Sequence, residues 1–178
     1  MRCRVVFAAF VLVAACGGHR PAERGEVAAV PTGRFEIAVE AGGVELHASG
    51  AFDDARQRFT FVTDASGFVT GLDGRLTLVA TPEAVFVDCP YLARLLRAPT
   101  RWISVRGAAA DELRASIDRL VRAGDMRFAG GPNGGGDASV SVRYFDVGAP
   151  VAIEPPAGAE VTDETDALNR LPGGTTGG

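Results

Sequence analysis

The stretch FEIAVEAGGVELHAS, residues 35–49, decides the fold class because it carries two alternating segments around a Gly-Gly pair. Phe35, Ile37 and Val39 alternate with polar or small residues, and the same period of two resumes after the glycines. This period is typical of strands with one buried face. A glycine pair between two such segments favours a tight hairpin. The stretch therefore predicts the first two strands of an antiparallel sheet.

Short apolar segments separated by Gly, Asp and Pro follow this hairpin. They predict strands over 56–62, 67–70, 75–80, 84–88, 101–105, 139–145 and 151–153. Before the strand predicted over 139–145, residues 130–136 contain too many glycines to hold regular structure. Many short strands with turn signals between them are typical of an antiparallel sheet.

Helical periodicity is clearest over 111–123. The apolar residues of this segment fall on one stripe, Leu113, Ile117, Leu120 and Val121, which is the spacing of a helix that packs one side against a core. Asp111 is a suitable N-cap and Gly124 is placed to end the helix. Shorter helices are predicted over 90–96 and 161–171. Strands with one substantial helix indicate an α+β fold with a twisted, open or partly closed sheet.

The N-terminus has the three-part pattern of an export signal. Two arginines precede an apolar segment over 5–13, which is shorter than the roughly 20 apolar residues of a membrane-spanning helix. The tetrapeptide VAAC at 13–16 resembles a bacterial lipobox. It predicts cleavage before Cys16 and attachment of a diacylglyceryl group to the Cys16 thiol. The alternative is an ordinary signal peptide followed by an incidental cysteine.

These features divide the chain into four parts. They are a signal peptide over 1–15, a lipidated cysteine and flexible tether over 16–32, a single domain over 33–171 and a disordered tail over 172–178. Two acyl chains hold a protein durably at a membrane without a transmembrane helix. We therefore expect the domain at the extracytoplasmic face of the cell membrane or envelope, anchored through Cys16.

Charge and cysteine content exclude several classes of protein. The formal net charge is −4 and all 18 basic residues are arginine, which does not suit a nucleic-acid-binding domain. Cys3 leaves with the predicted signal and Cys16 is acylated, so Cys89 has no partner for an intrachain disulfide. Because Cys89 follows the apolar residues 85–87, we expect it to be buried and unreactive.

Catalytic and metal-binding patterns do not stand out in the sequence. His19 and His47 are the two histidines and are far apart, unlike the closely spaced ligands of metal motifs. His47 falls on the polar side of its predicted strand, where a surface histidine is typical. The chain lacks a Gly-x-Ser-x-Gly motif, and its Gly-rich segment lacks the lysine of a phosphate-binding loop. We expect no enzymatic activity, no metal and no cofactor.

Apolar residues are numerous enough to make one face of the sheet apolar. The candidates for that face and its covering helix are Phe35, Ile37, Phe59, Phe61, Phe86, Trp102, Leu113, Ile117, Leu120 and Val121. One interpretation is a normal packed core, which every domain has. The other is a cavity for an apolar ligand, since one helix fills a curved sheet incompletely.

Three stretches resemble the LolA-like lipoproteins of the LppX and LprG type. They are the lipobox and tether at Cys16, residues 84–105 with the strand RWISV, and YFDVGAPVAIEPP at 144–156. The resemblance implies a curved, half-barrel-like antiparallel sheet with one main helix packed on its concave face, where the family holds a lipid. Between the helix and the strand at Ser139, this chain has a Gly-rich segment where the family has several strands. The half-barrel is therefore expected to be shortened.

From this resemblance we expect a membrane-anchored lipoprotein that binds or carries a lipid, a glycolipid or a similar apolar ligand. The alternative is a non-enzymatic interaction or structural lipoprotein with a fully packed core and a protein partner. Nucleic acid is not an expected partner in either case. The two hypotheses differ in whether apolar molecules accompany the purified protein.

Overall fold

The computed structural model describes residues 31–41, 44–64, 74–122, 126–128 and 138–165. Nine strands of these residues form one sheet. They are β1 (Thr32–Ala41), β2 (Val44–Asp53), β3 (Arg58–Asp64), β4 (Arg75–Ala80), β5 (Val85–Asp88), β6 (Trp102–Val105), β7 (Met126–Phe128), β8 (Ala138–Phe145) and β9 (Val161–Asp163). Their spatial order is β7-β8-β1-β2-β3-β4-β5-β6-β9, so the curved sheet is unclosed and has β7 and β9 at its edges.

The hairpin predicted over 35–49 is confirmed, because β1 and β2 pair antiparallel along their whole length. The other side of β1 pairs with β8, which comes about a hundred residues later in the chain, and Glu36 lies opposite Arg143 in this pair. The ladder continues antiparallel as far as β6. β9 departs from this pattern and runs parallel to β6.

Two α-helices accompany the described strands. α1 (Pro90–Leu96) connects β5 to β6, and α2 (Gly107–Arg122) connects β6 to β7. α2 crosses one face of the sheet, which we name the helix face. Near its middle Arg114 donates a hydrogen bond to a carbonyl of the β4–β5 turn. Near its end Arg122 contacts Asp54, in the β2–β3 turn, at 3.0 Å.

The hydrophobic core lies between the helix face and α2. Its completely buried side chains include Phe35 and Ile37 of β1, Leu78 of β4, Val85 of β5, Ile103 of β6 and Ala110 of α2. Ile117 and Val121 of α2 join the same core, as their helical spacing predicts. Leu92 of α1 closes it at one end. The predicted α+β fold, with a curved antiparallel sheet and one main helix, is confirmed.

The start of the main helix was predicted wrongly. α2 begins at Gly107, so Asp111 lies inside the helix and is not its cap. The residues in between are Ala108, Ala109 and Ala110, and alanine has the highest helix propensity. These alanines extend the helix toward β6.

The C-terminal predictions also need correction. Residues 161–163 form β9 and not the start of a helix, because the edge of β6 offers backbone hydrogen-bond partners. Residues 151–153 form no strand; prolines on both sides lack the N–H group that a strand ladder uses. The short strand β7 was not predicted. The strand predicted over 67–70 lies outside the described residues.

Candidate functional site

Most of the predicted cavity residues come together in the core. Phe35, Ile37, Phe61, Ile117 and Val121 are buried there, and Phe59 and Leu113 are half-buried against it. Phe35 exposes 0% of its surface and Val121 exposes 8%. A side chain that borders an open cavity keeps surface accessible to a water-sized sphere, so these buried residues are surrounded by protein atoms, as in a close-packed interior. The side chain of Leu120 lies outside the described residues.

Phe86 and Trp102 lie on the face away from α2, so the prediction that they belong to the same apolar face is wrong. On β5, Val85 and Val87 are in the core and Phe86 alternates with them. Trp102 alternates with the buried Ile103 on β6 and is half-buried. The error has a physical cause. β5 is covered on both faces, and such a strand has a continuous apolar segment where a half-exposed strand has alternation.

The second face is partly covered by residues 146–160, which we name the strap. The strap leaves the end of β8 and leads to β9 on the far side of the sheet. Arg58 donates a hydrogen bond from Nη1 to the carbonyl oxygen of Ile153 at 3.1 Å, and Ile153 is 5% exposed. Arg58 alternates with Phe59, which packs on the core. The strap therefore crosses the face away from α2, which we name the strap face.

A groove of about 1120 Å³ lies on the strap face over β8, β1, β2, β3 and the start of β4. The side chains that the strand alternation places on this face of the groove are Glu36, Ala38, His47, Ser49, Val62, Asp64, Arg75, Ser141 and Arg143. Short side chains at Ala38, Ser49 and Ser141 lie among the longer charged ones.

Charged pairs of both signs occur in and beside the groove. Nη2 of Arg143 lies 2.6 Å from Oε2 of Glu36, across the β8–β1 pair. Nε2 of His47 lies 3.1 Å from Oε1 of Glu45, a pair that is ionic when the imidazole is protonated. The Arg143 side chain is 76% exposed. Exposed pairs of this kind contribute at most about 1 kcal/mol to stability. Each side chain of such a pair can therefore leave its present partner and pair with a charged group of a binding partner.

The described residues contain no group of three or more His, Cys, Asp or Glu side chains that could hold a metal ion. Cys89 precedes α1 and is buried, which confirms the predicted burial of this residue. Within the described ranges, every helix is too short or too polar to cross a membrane.

The groove itself was not predicted, although its residues were visible in the sequence. The polar positions of β1 and β2 looked like the ordinary wet side of a half-buried strand. Arg143 comes next to Glu36 only because β8 pairs with β1. A useful signal was the mixture of Arg, Glu, His and Ser on these polar positions, since a purely solvating surface needs no short side chains among the charges.

No protein-family model matches the chain, and no curated protein matches its sequence. The resemblance to LolA-like lipoproteins therefore stays a hypothesis. It depends on the residues at 13–16, 84–105 and 144–156.

Proposed function

We propose that the chain is a lipid-anchored binding protein of the bacterial cell envelope, which holds a protein partner in the groove of its strap face. In this proposal Cys16 carries the lipid and keeps the domain at the extracytoplasmic side of the membrane. The domain binds its partner and does not catalyse a reaction. The observation that carries the proposal is the difference between the two faces of the sheet.

On the helix face, five of the side chains suggested as cavity lining are packed against other protein atoms: Phe35, Ile37, Phe61, Ile117 and Val121. Ile37 is 1% exposed and Ile117 is 3% exposed, so neither has surface to offer a ligand. On the strap face, an open groove passes over five strands. A ligand reaches the groove without displacing any part of the core, which supports the strap face as the binding surface.

The lining of the groove supports a polypeptide partner. Glu36 and Arg143 present opposite charges side by side, and Asp64 and Arg75 lie opposite each other at the far side of the groove. Placing an acyl chain against such groups removes their water without replacing its hydrogen bonds, which is unfavourable. An extended segment with acidic and basic side chains satisfies both charges. We therefore expect a partner segment of mixed charge.

The lipid anchor is tested by replacing Cys16. The Cys16→Ser variant lacks the thiol that accepts the diacylglyceryl group, so it should incorporate no radioactive fatty acid during growth. Cys3→Ser is the matched control, because Cys3 lies in the segment that the signal peptidase removes, and this variant should be labelled like the wild type. Label that persists on Cys16→Ser would contradict the anchor.

The groove is tested by photo-crosslinking in the producing cells. A photoreactive residue at Ser49, in the groove, should give one discrete crosslinked protein, whereas the same residue at the exposed Ala115 of α2 should not. Glu36→Arg reverses one charge of the groove and should remove the product. The double variant Glu36→Arg with Arg143→Glu has the same total charge as the wild type, but its two charges have exchanged positions. It therefore separates the effect of the charge pattern from the effect of the total charge. Equal products from Ser49 and Ala115 would refute a specific groove.

A second candidate function, a carrier of a lipid or glycolipid, is favoured by a particular feature of the helix face. Around the buried core, several apolar side chains are only half-buried: Val39, Phe52, Phe59, Val142 and Tyr144. They leave apolar surface beside α2. An acyl chain bound there lies next to Val121, the last core residue of the helix.

Val121→Trp separates the two candidates. In a packed core the larger ring costs about 1 to 3 kcal/mol, so the unfolding temperature falls and no ligand uptake is lost. In a carrier, the wild type takes up a fluorescent fatty acid and the variant loses this uptake while it still folds. Ala115→Trp, on the exposed side of α2, is the control for both measurements. Native mass spectrometry of the wild type shows directly whether apolar molecules accompany it.

A further inference from the structure

The first turn of the strap, Asp146–Ala149, presents an apolar side chain to solvent. Val147 is 55% exposed, and it and Leu95 are the two exposed large hydrophobic residues in the described part of the chain. The Ala149 N–H donates a hydrogen bond to the Asp146 carbonyl at 3.0 Å, so the turn is closed. Asp146 and Gly148 have positive φ angles, 52° and 81°. This backbone geometry holds Val147 at the tip of the turn.

The same turn lies beside the point where the tether joins the domain. The Gly148 N–H donates to the carbonyl of Thr32, the first residue of β1, at 2.9 Å. The carbonyl of Pro31 accepts a hydrogen bond from the Asp54 N–H at 2.8 Å, which fixes this point to the β2–β3 turn. Fourteen residues lie between Cys16 and Pro31, and such a segment spans at most about 50 Å. The lipid anchor therefore limits the distance of this end of the sheet from the membrane to about 50 Å.

Leu95 occupies the other end of the sheet. It belongs to α1, which joins the end of β5 to the start of β6. Thr32 shares its end of the sheet with the β2–β3 and β4–β5 turns, whereas α1 connects strand ends on the opposite side. Of the two exposed apolar side chains, Val147 therefore lies at the end of the sheet where the tether joins, and Leu95 lies at the end away from it.

We propose that the turn 146–149 rests among the lipid headgroups of the anchoring membrane, with Val147 as its inserted side chain. This inference depends on the lipid anchor proposed above. Burial of one valine contributes about 1.5 kcal/mol, which is too little to hold a free protein on a membrane. A short tether, however, gives the turn an effective concentration of about millimolar at the surface. Under that condition a weak contact is enough to orient the domain.

The charges beside the turn form one exposed ion pair, whose arginine can exchange the Asp146 carboxylate for a headgroup phosphate. Arg34 lies 3.6 Å from Asp146, and its side chain is 55% exposed. A guanidinium near the surface is attracted to anionic headgroups and pairs with their phosphates. The orientation also has a consequence for binding. The groove extends toward the end of the sheet away from Thr32, where Arg75 begins β4, so it stays open to partners outside the membrane.

Tryptophan fluorescence in vesicles tests the contact. The lipoprotein is purified from the producing bacterium with Trp102→Phe and one new tryptophan, at Val147→Trp or at Leu95→Trp as the matched control. It is reconstituted into phosphatidylcholine–phosphatidylglycerol vesicles whose acyl chains are brominated close to the headgroup. The tryptophan at 147 should lose most of its emission and shift to shorter wavelength, while the tryptophan at 95 keeps both. Equal quenching at the two positions, or none at 147, overturns the proposal.

Two further measurements keep the outcome unambiguous. Hydrogen exchange of the unaltered lipoprotein should slow at residues 146–149 in vesicles relative to detergent, with no slowing in α1; unchanged exchange at the turn also counts against the contact. The mass of the N-terminal peptide shows whether Cys16 is acylated. Without an acyl group the proposed anchor fails, and the free Cys16 thiol is then coupled to a maleimide lipid so that the turn is tested on its own.

Discussion

The hydroxyl group of Tyr144 donates a hydrogen bond to the backbone carbonyl of Val121. Tyr144 is on β8 and Val121 is in the last turn of α2, where helix carbonyls have no partner within the helix. The bond therefore ties the end of the main helix to the sheet. The Tyr144 ring also packs edge-on against Phe52, with ring centroids 6.2 Å apart. Burial raises the pKa of Tyr144, so the hydroxyl keeps its proton and remains a donor at neutral pH.

Tyr144→Phe removes this hydroxyl and keeps the ring. We expect a loss of about 1 kcal/mol of stability, the usual net contribution of one hydrogen bond. For a domain of this size the unfolding temperature should fall by about 3 °C, measured by circular dichroism. Tyr91→Phe is the control, because Tyr91 is half-buried against the same core and has no hydroxyl partner among the described residues. An equal loss in both variants would show that the Val121 contact contributes nothing.

Gly50 on β2 should not accept a side chain. A Cβ at this position would lie 2.0 Å from the carbonyl oxygen of Thr60 and 2.4 Å from Cζ of Phe35, and the first of these is backbone that cannot move aside. Gly50→Ala should therefore lower stability by at least about 1 to 3 kcal/mol in urea unfolding. Gly158→Ala is matched chemically and has open space around its Cβ. A variant at Gly50 as stable as the one at Gly158 would mean that β2 and β3 lie further apart.

Asp88 is buried at the end of β5 and depends on one arginine. Nη2 and Nε of Arg101 approach its Oδ2 at 2.6 and 2.8 Å. Arg101→Gln leaves the buried carboxylate without its cation, which should cost about 1 to 3 kcal/mol. Arg34→Gln breaks a pair that is exposed on both sides and should cost less than about 1 kcal/mol. The double variant Asp88→Asn with Arg101→Gln should lose less than the two single losses together, as expected for residues in contact.

The pKa of Asp163 gives a pH-dependent prediction for β9. The Thr165 hydroxyl, which donates at 2.7 Å, is the main cause that lowers this pKa; the Thr165 backbone N–H and Arg106 lower it further. Because the folded pKa is below that of the unfolded chain, the stabilisation is present above the ordinary value of about 3.9 and is lost as pH falls through the folded pKa. Thr165→Val should raise the Asp163 pKa, as measured by carboxyl NMR titration. Its stability deficit should be largest at pH 7 and shrink in acid to the part that comes from the lost hydrogen bond between the Arg106 N–H and the Thr165 hydroxyl; a deficit independent of pH would exclude the Asp163 contribution.

Much of the fold follows from patterns that operate over a few residues. The alternation over 35–49 shows which side chains of β1 and β2 share a face, because successive strand side chains point to opposite sides. The spacing of Leu113, Ile117 and Val121 shows which side of α2 is buried. In both cases the preference resides in the local segment, so the sequence is sufficient to read it.

The groove and the corrected residues depend on contacts that are distant in the chain. Arg143 meets Glu36 through the pairing of β8 with β1. Phe86 looks like a core residue because residues 85–87 are all apolar, and its true face is set by the register of β5 between β4 and β6. The alternation of apolar and polar residues shows which side chains of a strand share a side. It does not state which strand lies next to it or what covers each side.

The sequence by itself determined the antiparallel hairpin, the apolar stripe of α2 and the burial of Cys89. The tertiary structure decided that the strap crosses the strap face, where the Ile153 carbonyl accepts a hydrogen bond from Arg58. It also decided that Val161–Asp163 joins β6 as a parallel strand and that Val147 lies beside Thr32. The physical reason is that local preferences differ by less than about 1 kcal/mol per residue. A short segment such as 161–163 therefore adopts the structure that its neighbours in space can pair with, and those neighbours are fixed only when the whole sheet has formed.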